Sequence, residues 1–555
     1  MKFYKKIIAV ALICAELMFS TSLGFADNYK VIGRNPDGSV NIPTDQIITP
    51  AGKQVEFAGR PNAVALSPDG KTAAFNIGGY SNGATPDYNP IITIDLTSGK
   101  IKQKFTLSTK ERGGSYTGII YSKSGDKLYA SFGDGKILEF NVDKSGQLTL
   151  NKEIELPKNK DGKTSDPGGL ALSSDNSKLY VALSRNNSIG VIDLTEKKMI
   201  SEIPVGNAPY TILIDGNIGY VTNEGGKTAA SGDYTNDSSG TPIISNSNTG
   251  MASTGTVSVV DLTLNKTIKN IDVGLHPTAI CQNSSDIFVT NTNSDTISVI
   301  NKATKLLVKT ITVQPYPNAP FGSQPNAITM MGDKRLVVSL GSNNALAIYE
   351  WNGEKEAVKF EGLIPTGWFP GDVVNDPQLK SLVVANIKGV GSLGRENAIG
   401  PYKENNKTGH AVYSWLGSAS IIPSPDKASL ENYTKQVNTN NKWEKQGSNA
   451  NSSEKKAIPI HLGEPSLIKH VFYVIKENRT YDQVLGDIKK GNGDPSLTLF
   501  GDKVTPNQHA LANKYPLLDN FYCSGSVSAD GHQWTDQALA PDYLERQFAG
   551  GFPRS

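Results

Sequence analysis

Apolar residues along this chain fall into short β-branched and aromatic runs, each broken after a few positions by Gly, Asn, Asp or Ser. That spacing predicts strands and tight turns rather than the 3.6-residue period of helices. The runs also recur. "ITIDLTSGK" (92–100), "GVIDLTEKK" (190–198), "VSVVDLTLNK" (257–266) and "ISVINKATK" (297–305) echo one another. Upstream of them stand "KLYAS" (127–131), "KLYVA" (178–182), "GYVTN" (219–223) and "IFVTN" (287–291). "AVALSPDGK" (63–71) and "GLALSSDNSK" (169–178) add a further strand and turn. Each unit therefore reads as four strands joined by polar turns. One position, 40 residues apart at Asp261 and Asn301, marks every unit: Asp95, Asn141, Asp193, Asp261, Asn301, Tyr349 and Pro423.

Seven four-stranded units of this length predict a β-propeller, because a closed ring leaves no unpaired edge strand. The strand signals in "QIITPAGKQVEF" (46–57) are placed to complete the last blade and fasten the ring. Tyr220-Val221-Thr222-Asn223 and the repeat length resemble the YVTN family of seven-bladed propellers over about residues 40–423, within a domain spanning 27–423. Two Gly/Asn/Ser-rich insertions, 224–250 and 386–410, interrupt units four and seven. They read either as binding loops or as surface excursions.

The pattern changes after Pro423. Ser424-Pro425-Asp426 predicts the start of a helix through Val437, followed by a polar linker to residue 457. In "KHVFYVIKENRTYDQVLGD" (469–487), Val471 to Ile475 is a continuous apolar run, as in a strand buried on both faces of an α/β sheet. Such sheets place chemistry beyond the carboxyl ends of their strands, where Glu477 and Asn478 fall. A carboxylate and an amide carbonyl are oxygen donors for a divalent metal, although a capping Asn beside a solvated Glu has the same sequence. "FYCSGSVSADGHQWTDQALAPDYLERQF" (521–548) predicts a strand, a turn and a helix opening near residues 534–536. A hydroxyl at a helix start would sit among free backbone N–H groups, which favour an alkoxide or a phosphoryl group.

Together "KENRTYDQVLGD" and "SADGHQWT" resemble the phosphoesterase branch of the alkaline-phosphatase superfamily, which includes bacterial acid phosphatases and phospholipases C. The resemblance implies that Glu477 and Asn478 bind a divalent metal, zinc or another. It implies a nucleophile at Thr535, with Ser526 and Ser528 as neighbouring alternatives. Arg479 and His532 would orient the ester or its leaving group. The family finishes its metal site with later Asp and His ligands, so residues 458–555 read as the N-terminal portion of such a domain, apparently truncated.

Composition narrows the setting. The 555 residues carry 55 basic and 53 acidic side chains, a net charge of +2, which gives no electrostatic case for nucleic acid. A basic start (Met1 to Lys6), an apolar run from Ile7 to Phe19 and small residues at Gly24-Phe25-Ala26 predict a cleaved leader over 1–26 and a secreted, extracytoplasmic protein. The run is short for a bilayer span and contains Glu16, and no later stretch is long and apolar enough to cross one. Beyond the leader, Cys281 and Cys523 lie far apart, which predicts two unpaired buried thiols rather than a disulfide framework.

The expected whole is an all-β seven-bladed propeller followed by a partial α/β domain, hydrolysing phosphate esters through a divalent metal and a Thr or Ser nucleophile. The alternative is a non-enzymatic extracellular binding protein whose propeller engages a protein or cell-surface ligand.

Overall fold

The computed structural model describes residues 32–78, 90–106, 117–133, 135–317, 319–392, 415–443, 453–459, 464–519, 521–525 and 528–547. Within them, seven four-stranded antiparallel sheets follow one another along the chain. In the first, Arg60–Leu66, Thr72–Gly78, Ile91–Asp95 and Lys100–Phe105 pair in sequence order. The next five begin with Ile119–Tyr121, Pro167–Leu172, Asn207–Asp215, Pro277–Gln282 and Pro325–Met331. The first strand of each sheet lies against the first strand of the next, and Trp368–Asp376 of the seventh lies against Arg60–Leu66. The sheets thus close into a ring, and the fold is a β-propeller of seven blades.

Closure uses the segment that the sequence set aside for it. Lys53–Ala58 pairs with Trp415–Pro423 as the outer strand of blade seven, with Ala58 opposite Leu416 and Lys53 opposite Ile421. Its inward side chains, Val55 and Phe57, pack with Phe75, Ile94, Val383 and Ala385 between blades seven and one. The rings of Phe57 and Phe75 are 5.8 Å apart. Ile47–Ile48, just upstream, belongs instead to a small three-stranded sheet with Gly33–Arg34 and Val40–Asn41.

The repeated sequence phrases have local physical causes. The Asp of the Asp-Leu-Thr turn caps backbone N–H groups that the turn would leave unsatisfied. Asp261 accepts from Thr263 and Leu264 (both 2.9 Å), and Asp193 from Thr195 and Glu196 (2.8 and 2.9 Å). Asp95 accepts from Ser98 at 2.7 Å, and these hydrogen bonds hold its carboxyl below the usual range. The marked position pairs with the first residue of the second strand in each blade, as Asp261 does with Ile218. In blade six that partner, Arg335, faces Glu350, so the marker there is Glu350 rather than Tyr349. The Asn that ends the Tyr-Val-Thr-Asn phrase is a buried tie. Asn223 donates to Ser258 (3.0 Å), Asn291 to Ser298 (2.9 Å) and Asn386 to Ser420 (2.9 Å), each clamping the second strand to the third.

The insertion at 224–250 folds in part as a hairpin, Thr235–Ser238 with Thr241–Ile244. In the other, the strand Ser381–Ser392 carries the chain outward, and residues 393–414 lie outside the described residues. The helix after the ring, α1 (Lys427–Asn440), is capped by Asp426, which accepts from the Ser429 N–H at 2.8 Å. The cap is therefore Asp426 rather than Ser424. Leu430 and Val437 bury the helix against the outer strand of blade six, where the Leu363 N–H donates to Thr434 at 2.9 Å.

The C-terminal portion departs furthest from expectation. Among the described residues it forms four short α-helices: α2 (Tyr481–Leu485), α3 (Pro506–Lys514), α4 (Ser528–Gln537) and α5 (Asp542–Gln547). Val471 to Ile475, expected as a buried strand, pairs with no neighbour among the described residues; Phe472 is 92% and Val474 82% exposed. Residues 521–523 are likewise exposed and unpaired. A β-prone run becomes a strand only when another strand satisfies its backbone, and no named strand among the described residues follows Pro423. The described residues after Pro423 therefore form no α/β sheet. Among the described residues, no helix is long and apolar enough to cross a membrane.

Candidate functional site at the mouth of the ring

The innermost strands surround a central cavity of about 500 Å³ to which all seven blades contribute, through residues such as Val64, Ile119, Leu170, Ile212, Ile280, Ile328 and Val373. At the end where those strands begin, the channel turns from apolar to polar and charged, and α5 is seated in it.

Arg546 makes the central contact. Its Nη1 donates to the Asn62 carbonyl (2.8 Å), and its Nη2 to the carbonyls of Gly371 and Asn326 (3.4 Å for the latter). One guanidinium thus bridges blades one, six and seven, which its planar fork of donors suits. Gly371 packs tightly against Ile387: a Cβ there would lie 2.3 Å from Ile387 Cδ1, but at an ordinary contact distance of 3.5 Å from Arg546 Nη1. One helical turn earlier, Asp542 accepts from Arg546 Nε and from Asn326 Nδ2, both at 2.7 Å. The Ala540 carbonyl accepts from Gln324 at 2.8 Å.

Glu545 carries the second charge cluster. Its carboxylate pairs with Lys388 Nζ (2.6 Å to Oε2, 2.8 Å to Oε1), and its Oε1 also accepts from Trp534 Nε1 at 3.3 Å. Lys388 lies over the ring of Trp368 at 4.6 Å, a cation–π arrangement. Arg60 stands 3.7 Å from the other carboxylate oxygen and 4.9 Å from the Trp415 ring. Lys388, Glu545, Arg60 and Asp530 are all at most 1% exposed. Burial pushes the Glu545 carboxyl up, against the pull of Lys388 and Arg60, and pushes the Lys388 ammonium down, against the pull of Glu545. None of the three Arg60 nitrogens has a hydrogen-bond partner among the described residues.

The rim completes the site on blades four and five. His276 pairs with Glu224 at 3.1 Å and lies 6.0 Å from the Tyr543 ring. Burial draws the His276 pKa down, but the Glu224 carboxylate and its hydrogen bond outweigh that and leave it above the ordinary value. Tyr210 faces Arg546 at 5.8 Å.

None of these residues was singled out individually in the sequence, although Glu224 and Lys388 lie in the two insertions read there as possible binding loops. The sequence candidates lie elsewhere. Glu477, Asn478 and Arg479 are exposed, in the extended segment before α2. Asn478 takes a left-handed backbone (φ 77°), and Arg479 lies over the Phe500 ring at 5.0 Å. The expected helix opening near 534–536 is corrected: α4 begins at Ser528. Thr535 is therefore in its last turn, donating to the carbonyls of Gly531 (3.0 Å) and His532 (2.9 Å), and His532 is exposed. Ser528 does meet Glu477, donating to its Oε1 at 2.6 Å. Ser526 lies outside the described residues.

Structural zinc takes four ligands, and magnesium or calcium six or more oxygens. Glu477 and Asn478, even with Ser528 added, supply fewer. Among the described residues, no group of three or more His, Cys, Asp or Glu side chains could hold a metal. The donor set present therefore does not by itself fit a divalent ion. Among the described residues both cysteines are free: Cys281, expected to be buried, is partly buried, and Cys523, also expected to be buried, is exposed.

No protein-family model matches the chain, and none of the curated proteins compared with it matches. Among solved structures, the chain is similar to Kuenenia stuttgartiensis hydrazine synthase, with 15% identity and a TM-score of 0.45 over 60% of this chain and 93% of that one. It is similar to the WD40 repeats of RRP9, with 12% identity and a TM-score of 0.46 over 67% and 99%. It is also similar to U3-55K, with 12% identity and a TM-score of 0.45 over 67% and 100%.

Proposed function

We propose that this protein is a recognition module of the YVTN propeller type, and that the mouth of its ring is the binding surface. The observation that carries this reading is the seating of α5, whose Arg546 is read by backbone carbonyls of three blades. Carbonyls at the starts of inner strands and two tryptophan-faced cations recognise a short folded segment. They offer no nucleophile with an adjacent base. The test is an unbiased peptide-display selection on the full-length chain carrying Glu545→Ala, which loosens the resident segment. Peptides are expected whose affinity falls about tenfold or more, a loss of at least 1.4 kcal/mol, when Arg60→Ala is added. Selected peptides that are indifferent to Arg60 would overturn the reading.

One contact favours a second reading, phosphate-ester hydrolysis: the Ser528 hydroxyl donating to Glu477 at a helix start. In that chemistry Ser528 Oγ attacks phosphorus as Glu477 takes its proton, the ester P–O bond breaks and the leaving alkoxide takes that proton back from Glu477, and water then hydrolyses the phosphoserine to free phosphate. Glu477 is exposed and the surrounding donors are too few for a metal, so turnover of a chromogenic phosphate ester is expected to be at background. Turnover abolished by Ser528→Ala, and untouched by Thr535→Ala, would place hydrolysis first.

A further inference from the structure

Resting on the reading of the ring mouth as a binding surface, we infer that α5 is its resident occupant in cis, and that the exchangeable partner is an acidic peptide segment presenting a carboxylate between Lys388 and Arg60. The geometry defines the chemistry of that partner. On the ring side, the pocket around Glu545 is cationic, built from Arg60 and Lys388, with Trp368 and Trp415 as walls. Both cations are fixed on the propeller, Arg60 on blade one and Lys388 on blade seven. With α5 withdrawn they would be left without the Glu545 carboxylate, and buried cations require a counter-charge. Asp530, buried beside both cations, then leaves two positive charges against one carboxylate, so an anionic group is what restores the balance when Glu545 leaves.

The resident segment leaves this pocket partly unfilled. Glu545 reaches Lys388 at 2.6 Å but Arg60 only at 3.7 Å, and the Arg60 donors make no hydrogen bond among the described residues. A guanidinium buried to 1% exposure with empty donors loses most of what a bidentate carboxylate would return. A partner whose carboxylate engages both cations therefore competes with α5. The resident segment is also short: six residues form α5, and outside them its hold on the ring includes the Gln324–Ala540 and Lys388–Ser524 hydrogen bonds. A helix of this length has little stability of its own, so leaving the mouth costs only its contacts there.

The test uses a fluorescent peptide of residues 538–547 titrated against the full-length chain. Wild type, with α5 in place, is expected to bind it at least about tenfold more weakly than Glu545→Ala. The peptide's own Glu545→Gln form is expected to lose binding to the variant by a similar factor. In case Glu545→Ala does not fold, wild type at saturating peptide is followed by hydrogen exchange, where the amides of 540–546 are expected to exchange faster as the peptide displaces them. Equal binding to both proteins, equal binding of the Glu and Gln peptides, or unchanged exchange would overturn the inference. If display selection still yields Arg60-dependent peptides, only the identity of the occupant falls; if it does not, the binding surface itself falls.

Discussion

Lys388→Ala should release α5 from the ring while leaving the blades folded. The substitution removes the partner that holds Glu545 at 2.6 Å in a pocket with no solvent exposure. Breaking one side of a buried ion pair costs about 3–5 kcal/mol, because the remaining charge is stranded. Arg60, at 3.7 Å, offsets part of that loss. The carboxylate then either takes a proton or leaves the mouth, and what still retains the helix is the hold of Arg546 and Asp542 on blades one, six and seven. Hydrogen exchange is expected to rise over 540–546 and to stay slow over the second and third strands of blades two to four. Replacing both partners, Lys388→Met with Glu545→Leu, should recover only part of the docking, because the leucine leaves the buried Arg60 without the Glu545 carboxylate. If Lys388→Ala leaves α5 as protected as in wild type, the pair does not hold the helix.

Phe57→Ala should destabilise the whole propeller by about 3–5 kcal/mol, as large-to-small changes of buried aromatics do. Phe57 is 2% exposed, packs against Phe75, and lies on the strand that closes blade seven. The cavity would open at the seam where the chain's two distant segments meet, so ring closure and core packing weaken together. The neighbouring surface change Glu56→Gln removes only an exposed ion pair with Arg34 and should stay within about 1 kcal/mol of wild type. Urea denaturation midpoints of the two variants separate these outcomes. A Phe57→Ala midpoint equal to that of Glu56→Gln would mean that the seam is not needed to keep the ring closed.

The ring was legible in the chain because its causes are local. An Asp that caps its own turn and an Asn that ties neighbouring strands must recur wherever the same turn and the same strand pair recur. Asp261 and Asn301, 40 residues apart and each accepting from its own turn, therefore show the blade period directly. The closing strand was legible for a related reason: Val55 and Phe57 alternate with polar positions and had no unit of their own to join.

The mouth was not legible. Arg60, Lys388, Asp542, Glu545 and Arg546 are scattered over nearly five hundred residues and belong to no motif. Each alone reads as a solvated surface charge, and only closure of the ring together with the return of α5 brings them within hydrogen-bonding and ion-pairing distance and removes them from water. The reverse holds for Val471 to Ile475 and for Thr535. There the sequence carries strong local signals, but a strand needs a neighbour and a helix start needs its first turn, and tertiary structure decides both. By itself, then, the sequence determined the repeated strands, their turns and the strand that fastens them, because those follow from short-range hydrogen bonding and alternation. Which charges are buried, which segment fills the ring and where the last helices begin were decided by contacts between residues hundreds of positions apart, whose energies depend on a dry environment that only the folded ring creates.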